Sequence, residues 1–208
     1  MTRTRICCVL WMGLALLFSA CLDLKQPSNK IDYYSLEYNP PRIGDHQPLD
    51  EVIKVEQFSV RPIYNTHKII YRNRSYKRAA YTYHKWRTNP GATVTYFLAR
   101  DMQQSQLFKA VVTRHSQLPY TYLLEGSVDE FLESDTKDGC QAVLALSIVL
   151  MAAHEPDMDK QIRFQKTYPI SKPCERGNPE AFAKAMSQAM SVASEEIIND
   201  IYDNLKSP

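Results

Sequence analysis

Apolar positions along this chain recur at two different periods, and the changes of period mark out its elements. Val94, Phe97, Leu98, Met102 and Leu107 fall close to one helical face behind Asn89-Pro90, an N-cap followed by proline at the first helical position. That pattern predicts a helix over residues 90–105. Asn178-Pro179 repeats the device ahead of Phe182, Ala185, Met186, Ala189, Ala193, Ile197, Ile201 and Leu205, which predicts a long amphipathic C-terminal helix. Elsewhere short runs rich in β-branched and aromatic residues predict strands over residues 32–38, 51–61, 68–72, 77–85, 110–114 and 121–133. In the last of these, Leu124, Gly126, Val128, Glu130 and Leu132 alternate with Leu123, Glu125, Ser127, Asp129 and Phe131. Residues 142–153 form an apolar run too short to cross a bilayer, so a buried central strand is expected. A buried helix stays open there, because periodicity cannot decide a short apolar run. The order of elements indicates an α+β fold, a mostly antiparallel sheet with two main helices packed on it.

A further strand, residues 160–170, follows the polar turn Glu155-Pro156-Asp157-Met158-Asp159. Cys140 and Cys174 lie the same distance either side of Asp157, so a hairpin centred there sets them opposite each other. Opposed residues of an antiparallel ladder are within disulfide reach, and a Cys140–Cys174 bond is expected in an oxidising compartment. A single bulge would spoil that register and leave two reduced cysteines.

The N-terminus carries a different signal. Arg3 and Arg5 precede an apolar stretch, Ile6 to Phe18, that ends in Leu17-Phe18-Ser19-Ala20-Cys21. A basic n-region, a short h-region and small residues before the cut describe a secretory signal, and a cysteine just after the cut describes its lipoprotein form. Phe18 stands where such signals most often carry Leu. Residues 1–20 are therefore expected to be a signal peptide and Cys21 the lipidated first residue. Burying acyl chains stabilises membrane attachment by about 0.8 kcal/mol per CH₂, and two or more chains anchor durably. Residues 21–30 are polar and Pro-broken, a tether reaching at most about 33–36 Å. Residues 31–208 then make a single domain.

With 25 Lys and Arg against 23 Asp and Glu, the formal charge is +2, which names no partner. His46, His67, His84, His115 and His154 include no pair at the i, i+4 spacing of a zinc helix, and no nucleophile elbow or phosphate-cradling loop is present. No catalytic residue, metal or cofactor is expected. One segment stands out: Tyr64, Tyr71, Tyr76, Tyr81, Tyr83 and Trp86 interleave with Arg72, Arg74, Lys77, Arg78, Lys85 and Arg87. Stacking rings with cationic neighbours can bind single-stranded nucleic acid, but an export signal removes that substrate. Tyr81 and Tyr83 share one strand face by period, so part of the set is sheet packing. The rest fits a contact surface for a protein or lipid head group, since aromatic and Arg residues are enriched at interfaces. Tyr71, Arg72, Tyr81, Tyr83 and Trp86 are the candidate partner-binding residues.

Lys30-Ile-Asp-Tyr-Tyr-Ser-Leu36, Ile70-Tyr71-Arg72, Tyr81-x-Tyr83-x-x-Trp86, Asn89-Pro90-Gly91, Leu107-Phe108-Lys109-Ala110-Val111, Tyr122-x-Leu124-x-Gly126-x-Val128-x-x-Phe131 and Ala185-Met186-Ser187, taken in order, resemble the ABC-type transport auxiliary lipoprotein family, to which the paraquat-inducible protein C lipoproteins belong. The resemblance implies a non-catalytic periplasmic component of an MCE-type system, docking an inter-membrane lipid conduit at the outer membrane, with the MCE protein as its partner. Leu22 rather than Asp after Cys21 is the sorting habit of outer-membrane lipoproteins. Self-association stays open. Two other classes stay open as well: a lipoprotein regulator of a cell-envelope enzyme, and a lipid hydrolase whose nucleophile and base are not in evidence.

Overall fold

The computed structural model describes residues 30–44, 46–136 and 139–206. Its strands are β1 (Asp32–Tyr34), β2 (Leu49–Val55), β3 (Ser59–Val60), β4 (Lys68–Arg74), β5 (Lys77–Trp86), β6 (Phe108–Thr113), β7 (Tyr122–Thr136), β8 (Gly139–Ala152) and β9 (Ile162–Cys174). Its helices are α1 (Pro90–Ser105), a single turn α2 (Met158–Gln161), and α3 (Pro179–Lys206). The expected signal, the tether as far as residue 29, and Cys21 lie outside the described residues.

Strand β7 is the axis of one mixed sheet. On one edge it pairs antiparallel with β8, which pairs antiparallel with β9. Its other edge is lined in turn by β2, β3 and β4, all parallel to it, with β6 continuing outward from β2, and β5 and β1 from β4. Five of the eight pairings between described strands are parallel, which corrects the expected mostly antiparallel sheet. The reason is topological. Residues 49–74 run beside β7 in its own direction, and a parallel neighbour requires a crossover, here the long path through β5, α1 and β6. A period of two reports which side chains share a face, not which way the adjacent strand runs.

A register shift between Val128 and Glu130 inserts an extra residue into β7. It flips the phase, so that Phe131 and Glu133, opposite Leu144 and Ala142, join Leu124 and Val128 on the core face. The unbroken alternation expected over residues 123–132 is corrected accordingly. Paired on both edges, β8 is a strand, with Ala142, Leu144, Leu146, Ile148 and Leu150 buried. Its ladder with β9 runs from Cys140 opposite Cys174 to Leu150 opposite Phe164, and a disulfide joins the two cysteines with their Cα atoms 5.0 Å apart. The strand expected from residue 160 begins instead at Ile162, because Asp157 caps α2 by accepting from the Asp159 N–H.

Helices α1 and α3 pack on the sheet and touch each other. Val94, Leu98 and Met102 of α1 and Phe182, Met186, Ala189, Ala193, Ile197 and Ile201 of α3 are buried against Ile53, Val55, Leu124 and Tyr168. The two caps form as the Asn-Pro pairs predict: Asn89 Oδ1 accepts from the Gly91 N–H, and Asn178 Oδ1 from the Ala181 N–H. The strand expected over residues 32–38 stops at Tyr34. The chain beyond it is tied to both helices by side chains, with the Glu37 N–H donating to Ser187 Oγ and the Tyr38 hydroxyl to buried Asp101. Arg100 donates to the same carboxylate and stacks on Tyr38 and Phe97. No helix among the described residues is long and apolar enough to cross a membrane.

The link between β2 and β3 explains two glycines. Phe58 is buried, and its N–H donates to Thr95 Oγ1 of α1. A Cβ at Gly126 would enter the Phe58 ring, and one at Gly91 would sit 2.6 Å from the Phe58 carbonyl oxygen and 2.7 Å from Val60 Cγ2. Both positions must be bare for this link to reach α1 and β7.

Candidate partner-binding site

The aromatic and basic segment is the β4–β5 hairpin, attached to β7 through Tyr71 opposite Glu133 and Arg72 opposite Ser134. Alternation along β4 sends Tyr71 towards the core face and Arg72 away from it. The Tyr71 and Tyr81 ring centroids are 5.0 Å apart, and the Tyr81 hydroxyl donates to Glu133 Oε2 at 3.0 Å. Glu133 is 3 % exposed. Burial pushes its carboxyl above the usual range, against the hydrogen bonds from Tyr81 and from the Gly177 N–H. Burial and the neighbouring carboxylate push the Tyr81 phenol up in turn. Tyr81 also packs edge-on against His84, whose Nδ1 lies 3.1 Å from the Tyr34 hydroxyl and 3.8 Å from Asp32.

Trp86 is a correction to the expected set. It is 4 % exposed, its ring packed on Phe131 and Phe182 at 5.2 and 5.6 Å, and it belongs to the core. Opposite Tyr34, it is drawn inward by the apolar face of α3. Tyr81 and Tyr83 do not share a face either. The β4–β5 register changes from Ile70 opposite Ala80 to Lys68 opposite Lys85, so Tyr81 turns to Glu133 while Tyr83 is 42 % exposed.

Arg72 is held in place. Its Nε and Nη2 donate to Ser134 Oγ at 3.2 and 3.1 Å, and its Nη1 lies 3.6 Å from Glu130. It lines a cleft of about 810 Å³ with Asn73, Ser75, Ser134, Asp135, Thr136 and Arg176. Arg176 is ion-paired with Asp135 and donates to the Thr136 carbonyl, and the Cys174 disulfide two residues earlier fixes it there. Around the hairpin tip, Ile63 is 45 % exposed and Tyr76 wholly so, beside a hollow of about 440 Å³ lined also by Arg61 and Arg78. Sequence reasoning missed Glu133, Asp135 and Arg176. The only signal for Glu133 was an acid at the end of a strand that alternates apolar and polar positions, and the bulge hid its phase.

These features define an α+β domain with a mixed, helix-backed sheet whose β4–β5 hairpin carries aromatic and Arg side chains at its surface. The chain belongs to the family of ABC-type transport auxiliary lipoprotein components, whose model matches residues 34–198. Among solved structures it is similar to a Xanthomonas campestris protein of the DUF330 family, with 16 % identity, a TM-score of 0.75, and coverage of 84 % of this chain and 97 % of that one. A hypothetical protein from Chlamydia trachomatis is similar at 9 % identity and a TM-score of 0.55, with 77 % of this chain and all of that one covered. At such identities the likeness is one of fold. No match is found among curated proteins.

Proposed function

We propose that this protein is a lipid-anchored periplasmic auxiliary of an MCE-type ABC transport system, docking the inter-membrane lipid conduit at the outer membrane. The observation that carries the reading is the family match across residues 34–198. Support comes from the Cys21 signal with Leu22 behind it, and from a hairpin that presents Arg72 and Tyr76 at its distal end on a rigid sheet. Tyr71 and Tyr81 pack on each other along the same hairpin, with Tyr81 bonded to Glu133, and Tyr83 lies further along it. Aromatic and Arg side chains in such a setting are the residue types most often found as binding hot spots.

The test is co-purification with the MCE partner from envelopes. Arg72→Ala with Tyr76→Ala should weaken recovery of the MCE protein while leaving the melting temperature nearly unchanged. Full recovery would refute the docking surface. In parallel, Cys21→Ala should abolish fatty-acid labelling, and the wild type should fractionate with the outer membrane. Undiminished labelling, or an inner-membrane position, would refute the anchor or its address.

A further inference from the structure

We propose that the outward face of β1, β5 and the start of β4 is a membrane-contact surface that seats on anionic phospholipid head groups. The inference rests on the lipid-anchor reading of Cys21. Tyr33 of β1 is directly opposite Lys85 of β5, and Lys85 is directly opposite Lys68 of β4. Directly opposed residues share a face of the sheet. Tyr34 and Trp86, next along each strand and opposite each other, point the other way and pack with the core. The Arg87 guanidinium lies 4.6 Å over the Tyr33 ring. Tyr33 is 49 % exposed and Ile31 37 %, and Tyr83 stands two residues before Lys85 on the same strand.

Among the described residues, no ion pair engages Lys68, Lys85 or Arg87, and the nearby Asp32 faces His84 instead. Like charges directly opposite in a ladder are destabilising, so the Lys68–Lys85 pair is an arrangement that an external polyanion would relieve. Anionic head groups supply that charge, and tyrosine rings collect at the head-group level of a bilayer. Position selects a membrane over a protein. The patch abuts Ile31, the first residue after the tether, and a tether of ten residues keeps it within about 33–36 Å of the anchoring surface. A lipid anchor alone leaves orientation free, whereas a second contact would fix which way the hairpin tip points.

The mature lipidated protein, reconstituted into vesicles of phosphatidylglycerol with phosphatidylethanolamine or of phosphatidylcholine alone, tests this by mapping lysine acylation with mass spectrometry. Lys68 and Lys85 should react several-fold more slowly on the phosphatidylglycerol vesicles, and high salt should remove the difference. Lys109 on β6 and Lys160 in the β8–β9 turn should react alike on both. One basic residue contributes about fivefold to contact with an anionic surface, so Arg87→Gln should visibly reduce the protection. Equal reactivity of Lys68 and Lys85 on both vesicles would overturn the proposal, and so would equal protection on both. Protection in detergent that rises with protein concentration would assign the face to a second copy and overturn it too. A protein that floats with neither vesicle refutes the anchor as well as this contact. One that floats but leaves Lys68 and Lys85 equally reactive refutes the contact alone.

Discussion

Replacing Cys140 and Cys174 together by Ala should lower the stability of the domain by nearly 4 kcal/mol. The cysteines are 34 residues apart in sequence, and for a loop of that length the chain-entropy model gives about 3.8 kcal/mol at 25 °C. The figure is an upper one, since residual β8–β9 structure in the unfolded chain would already restrict the loop. For a domain of this size the loss corresponds to about 8–15 °C in melting temperature. Urea denaturation followed by circular dichroism should place the reduced wild type beside the double-Ala variant and the oxidised wild type well above both. Amide exchange should rise most near Cys140, where Arg176 is held against Asp135, and least near Leu150. Two reactive thiols per chain in denatured, unreduced mature protein would refute the reasoning. So would coincident urea midpoints for the oxidised wild type and the variant.

Other expectations follow from single contacts. Trp86→Ala removes a ring packed on Phe131 and Phe182 and should cost about 3–5 kcal/mol, with the fraction that still folds binding partners normally in a pull-down. Gly126→Ala drives a methyl group into the Phe58 ring and should cost about 1–3 kcal/mol; Phe58→Leu in the same chain should recover part of it, and strict additivity would count against the clash. Burial raises the Glu133 carboxyl, so the folded state holds that proton more tightly than the unfolded chain. The stability this linkage gives is present at acid pH and is lost as pH rises through the raised value. The wild type should therefore lose ground to Glu133→Gln as pH rises from about 4, the ordinary range of a Glu carboxyl, and urea midpoints that stay parallel over that rise would refute it.

What the sequence determined by itself is what local physics controls. Asn89 and Asn178 cap helices through atoms within three residues of themselves, and the apolar stripes behind them need only a 3.6-residue period. The Cys140–Cys174 pairing was legible because the ladder keeps one register from Leu150 opposite Phe164 out to the cysteines, a register that centres on Asp157, and its single shift, at Met151 opposite Ile162, is confined to the turn end. Tertiary structure decided the rest. Whether β2, β3 and β4 run parallel to β7 depends on the path of the intervening chain, which no strand's own residues record. The side that Glu133 occupies depends on one inserted residue in β7. Trp86 and Arg72 look alike as members of an aromatic and basic run. The arrival of α3, nearly a hundred residues later, buries the first against Phe182, while Ser134 and Glu130 of β7 hold the second at the surface.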